Sequence, residues 1–180
     1  MSIEIAESSP NFSCCHIHKT SIHFRKSEEE YSIRPLKPSD FSKGFLGLLA
    51  KLTTVGNVSE EEFTRRFKEI FNAKEKSDSH TPPYFIAVIE DKGRIVATGT
   101  LLIEKKFIHG CGCVGHIEDV VVDETMRGQH LGQQMIRFLT DYAKHAHCYK
   151  VILDCSEHNV GFYEKCGYSR KSVQMAKYFD

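Results

Sequence analysis

The chain has no net charge, with 24 Lys plus Arg against 24 Asp plus Glu. It therefore lacks the basic face or stripe that marks a nucleic-acid binder, and an anionic ligand must be recognised by local geometry. No apolar run approaches the about 20 residues of a membrane span. Met1 to Pro10 include Glu4 and Glu7 and lack a basic start followed by an apolar stretch. That composition argues against a secretory leader and against a mitochondrial presequence. Internal repeats are absent. The seven cysteines (Cys14, Cys15, Cys111, Cys113, Cys148, Cys155 and Cys166) are an odd number with no leader, which points to reduced thiols in the cytoplasm. Cys14-Cys15-His16-Ile17-His18 has no second ligand pair at zinc-site spacing, so no metal is expected. Cys111-Gly-Cys113 reads as a loop, and no cysteine has activating neighbours in sequence.

The patterning predicts one domain over residues 31–180, preceded by a polar, mobile tail over 1–30. Tyr31 to Pro35 is a short strand. Phe41, Phe45, Leu48, Leu49 and Leu52 follow helical spacing. Ser59 with Glu62 forms a capping box for a second helix, whose buried stripe is Phe63, Phe67, Ile70 and Phe71. Two β-rich runs, Tyr84 to Glu90 and Ile95 to Ile103, flank the hairpin signal Asp91-Lys-Gly-Arg94. A Gly/Cys loop precedes a third run, His116 to Val122. A helix follows from Leu131 to about His145, then the strand Val151 to Leu153 and a short helix from Asn159 to Lys165 stopped by Gly167. Tyr168 to Lys177 is expected to close the chain as a strand. The order β-α-α-β-β-β-α-β-α-β implies an α+β fold, a mixed central sheet flanked by helices.

Strand, tight turn and helix meet at Glu118 to Gly132. A helix start presents unpaired N–H groups and the positive end of the dipole, which suits a pyrophosphate. The turn is Arg127, Gly128, Gln129, His130, Leu131 and Gly132. Its glycines let backbone approach a ligand, and Arg127 adds charge. By itself the turn reads equally well as a ligand-free connection.

In its neighbourhood the turn resembles the pyrophosphate motif of the GCN5-related N-acetyltransferase (GNAT) superfamily, Arg/Gln-x-x-Gly-x-Gly/Ala, matching at Arg127 and Gly132. His130 stands where the inner glycine usually lies. Backbone donors would serve there provided His130 does not need a positive φ. The blocks Leu52-Thr-Thr-Val-Gly56, Ala97-Thr-Gly-Thr100, Ile103 to His109, Gly115 to Val122, Cys148 to Cys155 and Asn159 to Tyr168 are similar to the glucosamine 6-phosphate N-acetyltransferase family. The resemblance runs from about Ile33 to Lys177 and implies a cytoplasmic homodimer using acetyl-CoA as acetyl donor and an amino-sugar phosphate as acceptor.

The resemblance also implies roles. Backbone groups of Val120, Val121 and Val122 pair with the pantetheine arm, and Asn159 and Tyr163 address the coenzyme from one helical face. Tyr163 donates to the leaving thiolate. Glu118 and Asp119 lie near the sugar, with amine deprotonation through an ordered water, and Asp154 orients the amine. Strand alternation sends Glu118 and Asp119 to opposite sides. Lys106, Phe107, Ile108, His109, Tyr149 and Lys150 match the sugar-phosphate contacts, with Thr53 as a hydroxyl contact and Val120 beside the substrate. Where the family's partner strand supplies an Arg, this chain has Met175-Ala-Lys-Tyr178, so Lys177 or Tyr178 stands in. Two other readings remain open on the residues alone: an acetyltransferase for a protein N-terminus, a lysine or a polyamine, and a non-catalytic CoA-binding module.

Overall fold

The computed structural model describes residues 22–26, 29–71 and 82–179, with side chains from Tyr31 onward. Its centre is a six-stranded sheet in the order β1 (Ile22–Lys26), β2 (Glu29–Pro35), β3 (Tyr84–Asp91), β4 (Arg94–Lys105), β5 (Cys113–Val122) and β6 (Cys148–Leu153). All neighbours are antiparallel except β5 and β6, which are parallel. A parallel pair needs a crossover, here the 15-residue helix α4 (Leu131–His145). Helices α1 (Phe45–Leu49) and α2 (Glu60–Phe71) precede β3. A single distorted turn, α3 (Ile108–Cys111), links β4 to β5, and α5 (Val160–Lys165) follows β6.

β3 is buried without interruption from Phe85 to Ile89, because both faces of the sheet are covered. On one face Phe85, Ala87, Ile89 and Ile117 pack with Met135, Phe138, Leu139 and Tyr142 of α4. On the other, Ile86, Val88, Ile95 and Val121 pack with Phe45, Leu48 and Phe63 of α1 and α2. Local signals behave as their chemistry requires. The Ser59 N–H donates to Glu62 Oε2 at 2.8 Å and the Glu62 N–H to Ser59 Oγ at 3.2 Å, a closed capping box. Lys92 and Gly93 both have positive φ (47° and 80°), as the two-residue hairpin turn demands.

Three expectations differ from the structure. The sheet begins earlier than Tyr31: β1 and the first residues of β2 lie within the stretch read as a tail, while residues 1–21, including the Cys14–His18 tract, lie outside the described residues. The first helix is shorter than its apolar spacing suggests, because the chain turns at Pro38–Asp40 and again before Gly44, whose φ is 82°. Tyr168 to Lys177 forms no strand. β-propensity there has no neighbouring strand to bond with, and Val173 and Met175 remain 85% and 89% exposed.

Candidate active site

The register locates an opening in the sheet. β5 and β6 pair from Cys113/Cys148 to Ile117/Leu153 and then part, so Glu118 to Val122 face no strand on that side. On the other side β5 stays bonded to β4 but slips by one residue, with Thr100 opposite Glu118 and Thr98 opposite Val121. The slip is a bulge at Asp119, whose φ is 52°, facing Gly99. Gly99 lets α4 pack close here: a Cβ there would lie 2.9 Å from Leu139 Cδ1 and 3.1 Å from Met135 Cγ, so both side chains would have to shift. The strand edge beyond the split is a row of backbone donors and acceptors available to an extended ligand.

The bulge also overturns the expected alternation of Glu118 and Asp119. Asp119 lines a cleft of about 450 Å³ on the α1/α2 side with Thr98, Thr100, Ile86 and Phe63. Glu118 is paired with Thr100, and directly opposed residues share a face, so both carboxylates serve the same side of the sheet. Burial pushes the Glu118 carboxyl above its ordinary value; Asp154 and Asp119 add to this, and His116 acts in the opposite sense. Asp154 follows the last paired residue of β6 and accepts a hydrogen bond from Gln174 Nε2 at 2.9 Å.

Tyr163 approaches from α5. It is half-buried against Phe162 (5.0 Å between ring centroids) and Tyr168 (6.3 Å). Its hydroxyl is pushed up to about 12, chiefly by burial, with Cys155, Cys166, Tyr168 and Glu118 adding to the effect. Asn159 sits one turn earlier, at the N-terminal end of α5.

The turn leading into α4 is built from Asp123. This buried carboxylate accepts from the Thr125 N–H (2.9 Å), Thr125 Oγ1 (2.7 Å), Arg94 Nη1 (2.7 Å) and Lys51 Nζ (3.1 Å). The Thr125 hydrogen bonds above all hold it well below the usual carboxylate range. Beyond it Arg127 is exposed, Gly128 has φ 79°, and His130 caps α4 at φ 59°, ψ 17°. His130 therefore does adopt the left-handed conformation, against the condition set on the sequence. The turn keeps a glycine-like path with a histidine in it, and the first amides of α4 at Leu131, Gly132 and Gln133 still lack helical acceptors. Gly132 has a different reason from the one expected: a Cβ there would meet Phe162 at 3.1 Å, so it brings α4 against α5.

A left-handed non-glycine residue costs about 1–2 kcal/mol. His130→Gly should recover about 1 kcal/mol and raise the Tm by roughly 2–4 °C. His130→Val, β-branched at a positive φ, should lower it. Thermal unfolding of the two variants checks both signs.

A second cluster lies at the far end of β5 and β6. The α3 turn carries three successive left-handed residues, His109, Gly110 and Cys111 (φ 53°, 64° and 60°). The Lys106 N–H closes the loop by donating to the Gly112 carbonyl at 2.8 Å. The His109 ring packs against Tyr149 at 4.1 Å with a 33° tilt, and Lys150 Nζ is 5.8 Å from the centre of the Tyr149 ring. Lys106 is paired with Glu104. Phe107 and Ile108 are 95% and 61% exposed. The structure thus gathers His109, Tyr149 and Lys150 at one end of the split face and Glu118, Asp119 and Asp154 at the other. Thr53 lies in the turn after α1, with its N–H on the Leu49 carbonyl, and Tyr178 is exposed on the C-terminal segment. Sequence reasoning left out Glu104 and His116. The signal for His116 was its place two residues before Glu118, on the same face of the strand. Among the described residues no group of three His, Cys, Asp or Glu is placed to hold a metal, and no helix is long and apolar enough to cross a membrane.

Residues 50–168 match the model of the acetyltransferase (GNAT) family. The glucosamine 6-phosphate N-acetyltransferase of Arabidopsis thaliana is 54% identical over 84% of this chain and 99% of its own length. That of Candida albicans is 48% identical over 81% and 93%. The crystal structure of the Arabidopsis enzyme superposes with a TM-score of 0.78 at 52% identity, covering 84% of this chain and 100% of that one. A split sheet, a helix start that follows the open strand and this breadth of similarity agree: the chain belongs to the GNAT acetyltransferase family and groups there with the glucosamine 6-phosphate N-acetyltransferases.

Proposed function

We propose that the protein transfers the acetyl group of acetyl-CoA to the 2-amine of D-glucosamine 6-phosphate, giving N-acetyl-D-glucosamine 6-phosphate and CoA, a product suited to UDP-N-acetylglucosamine synthesis in the cytoplasm. The observation that carries this reading is the parting of β5 from β6 after Ile117 and Leu153, with carboxylates at one end and cations at the other. Acetyl-CoA lies with its pyrophosphate on the turn Arg127 to Gly132 and its pantetheine arm along Val120, Val121 and Val122, with Asn159 alongside. The neutral amine attacks the thioester carbonyl, and the oxyanion is stabilised by backbone N–H groups of the free edge. The C–S bond then breaks, and Tyr163 donates its proton to the departing thiolate and regains one from solvent as CoA leaves. Glu118, with Asp119, takes the amine proton through water, a task its raised pKa suits. Asp154 holds the incoming ammonium in line.

Lys106, His109 and Lys150 take the phosphate, flanked by Phe107, Ile108 and Tyr149, with Thr53 at the sugar. Lys106 must exchange its Glu104 partner for the phosphate to do so. The C-terminal segment supports a homodimer: Val173, Met175, Tyr178 and Phe179 are each at least 85% exposed, and β6 is an edge strand. Across that dimer Lys177 or Tyr178 reaches the partner's substrate; a lysine there keeps the charge but loses the two-pronged fork of an arginine.

Thiol release from acetyl-CoA tests the acceptor. Glucosamine 6-phosphate should be turned over well above glucosamine and above N-terminal or lysine peptides. Lys150→Ala should raise the KM for the phosphorylated sugar by about 10-fold or more, the scale of one charged hydrogen bond, and change glucosamine little. Equal losses on both sugars would remove Lys150 from the phosphate site.

A further inference from the structure

Val114, His116 and Glu118 project from β5 to the sheet face opposite α4, since every second residue of a strand shares a side. Lys150 is in register with Val114, and Ile152 with His116, on β6; on β4 Leu102 is opposite His116. At a strand rise of about 3.3 Å per residue, His116 stands about 7 Å along the strand from Glu118 and about 7 Å from the level of Lys150. It is the midpoint between the cationic and carboxylate ends of the face. Its side chain is 25% exposed, and Nε2 lies 2.9 Å from Glu104 Oε2, while the other oxygen of Glu104 pairs with Lys106. A carboxylate only accepts, so Nε2–H donates to Glu104, and in the neutral tautomer that this contact selects Nδ1 carries the lone pair. Nδ1 has no protein partner among the described residues.

We infer that His116 is a specificity-determining residue that contacts the acceptor's pyranose ring: Glu104 fixes the imidazole, Nδ1 accepts from a ring hydroxyl, and Leu102 and Ile152 provide the apolar floor beneath the sugar. The inference rests on the acceptor reading given above. When Lys106 leaves Glu104 for the phosphate, the second Glu104 oxygen stays on His116 and keeps the imidazole oriented toward the ring. A polar group aimed at a substrate hydroxyl discriminates strongly against an epimer that moves that hydroxyl, because the site's own group is then left unpaired.

The test compares glucosamine 6-phosphate with galactosamine 6-phosphate, its C4 epimer, in the intact enzyme and in His116→Phe and His116→Asn. His116→Phe keeps a flat ring and removes both nitrogens. It should raise the KM for glucosamine 6-phosphate about 10-fold, reduce the preference over the epimer by a similar factor, and leave the KM for acetyl-CoA unchanged. His116→Asn, whose amide falls close to Nδ1, should restore part of the preference and guards against a phenylalanine variant that fails to fold. A preference over the epimer that is the same in wild type and both variants would overturn the inference while leaving the acceptor reading intact. A wild-type enzyme with no turnover of glucosamine 6-phosphate would remove the acceptor reading and this inference together.

Discussion

Tyr163→Phe should lower kcat by about 10²–10⁴-fold with little change in the KM for acetyl-CoA. The ring remains wedged against Phe162 and Tyr168, so the packing of α5 on α4 survives and only the hydroxyl is lost. A thiolate leaving into a half-buried site is costly without a proton or a hydrogen bond, and Tyr163 is the phenol placed to supply one. Because its pKa is pushed up to about 12, the hydroxyl stays protonated through neutral and moderately alkaline pH. The sign is that of an acid whose neutral form is favoured by burial: donor capacity is complete below that value and is lost only above it. The wild-type kcat should therefore show no alkaline fall from this group up to about pH 10, where an ordinary tyrosine would already be half ionised. Steady-state kinetics across that range provides the check. A Tyr163→Phe enzyme with unchanged kcat would assign the leaving-group proton elsewhere.

Arg34→Ala should cost about 3–5 kcal/mol of stability. Arg34 on β2 grips Asp40 with both ends of its guanidinium (2.8 Å each), and Asp40 is fully buried. Asp40 also accepts the Lys37 N–H at 2.8 Å, which closes the turn before α1. Glu90 joins through Arg34 and through Lys43 Nζ at 2.7 Å, tying β2, β3 and the α1 entry together. Hydrogen bonding to Asp40 above all raises the pKa of Arg34. Removing Arg34 leaves a fully buried carboxylate whose remaining cation, Lys43, stands 3.9 Å away in place of two bonds of 2.8 Å, which is the expensive half of breaking a buried pair. Urea unfolding should show the midpoint falling with little change in slope. Arg34→Lys should recover part of the loss, since a lysine keeps the charge but not the fork. A cost below about 1 kcal/mol, the value of an exposed pair, would mean that the network is solvated in solution.

Much of the scaffold was legible in the sequence because the signals were local. The capping box at Ser59, the Lys92-Gly93 hairpin and the period of α4 each depend on a few adjacent residues, and each recurs in the structure. What depended on distant partners was not legible. The Asp119 bulge lies opposite Gly99, which packs under Leu139, a pairing of β4, β5 and α4 that strand periodicity does not encode. Without it, Glu118 and Asp119 were assigned to opposite sides. The Tyr168 to Lys177 stretch has β-forming residues but no partner strand within the chain, so propensity overreached. His130 shows the opposite error, a rule applied too strictly: histidine is one of the few non-glycine residues enriched at positive φ. Among the site residues, neighbours in sequence such as Tyr149 and Lys150 were readable as a block. The Glu104–His116 contact bridges two strands and emerged only from their register.

The identity of the acceptor decides what this protein does. Purified protein given acetyl-CoA and an equimolar mixture of glucosamine 6-phosphate, glucosamine, an N-terminal peptide, a lysine peptide and spermidine can be read out by mass spectrometry of every acetylated product. The expected result is acetylation of glucosamine 6-phosphate ahead of all others, with the acetyl group on the 2-amine by NMR. Acetylated peptide or polyamine accumulating while the sugar phosphate stays unmodified would contradict it.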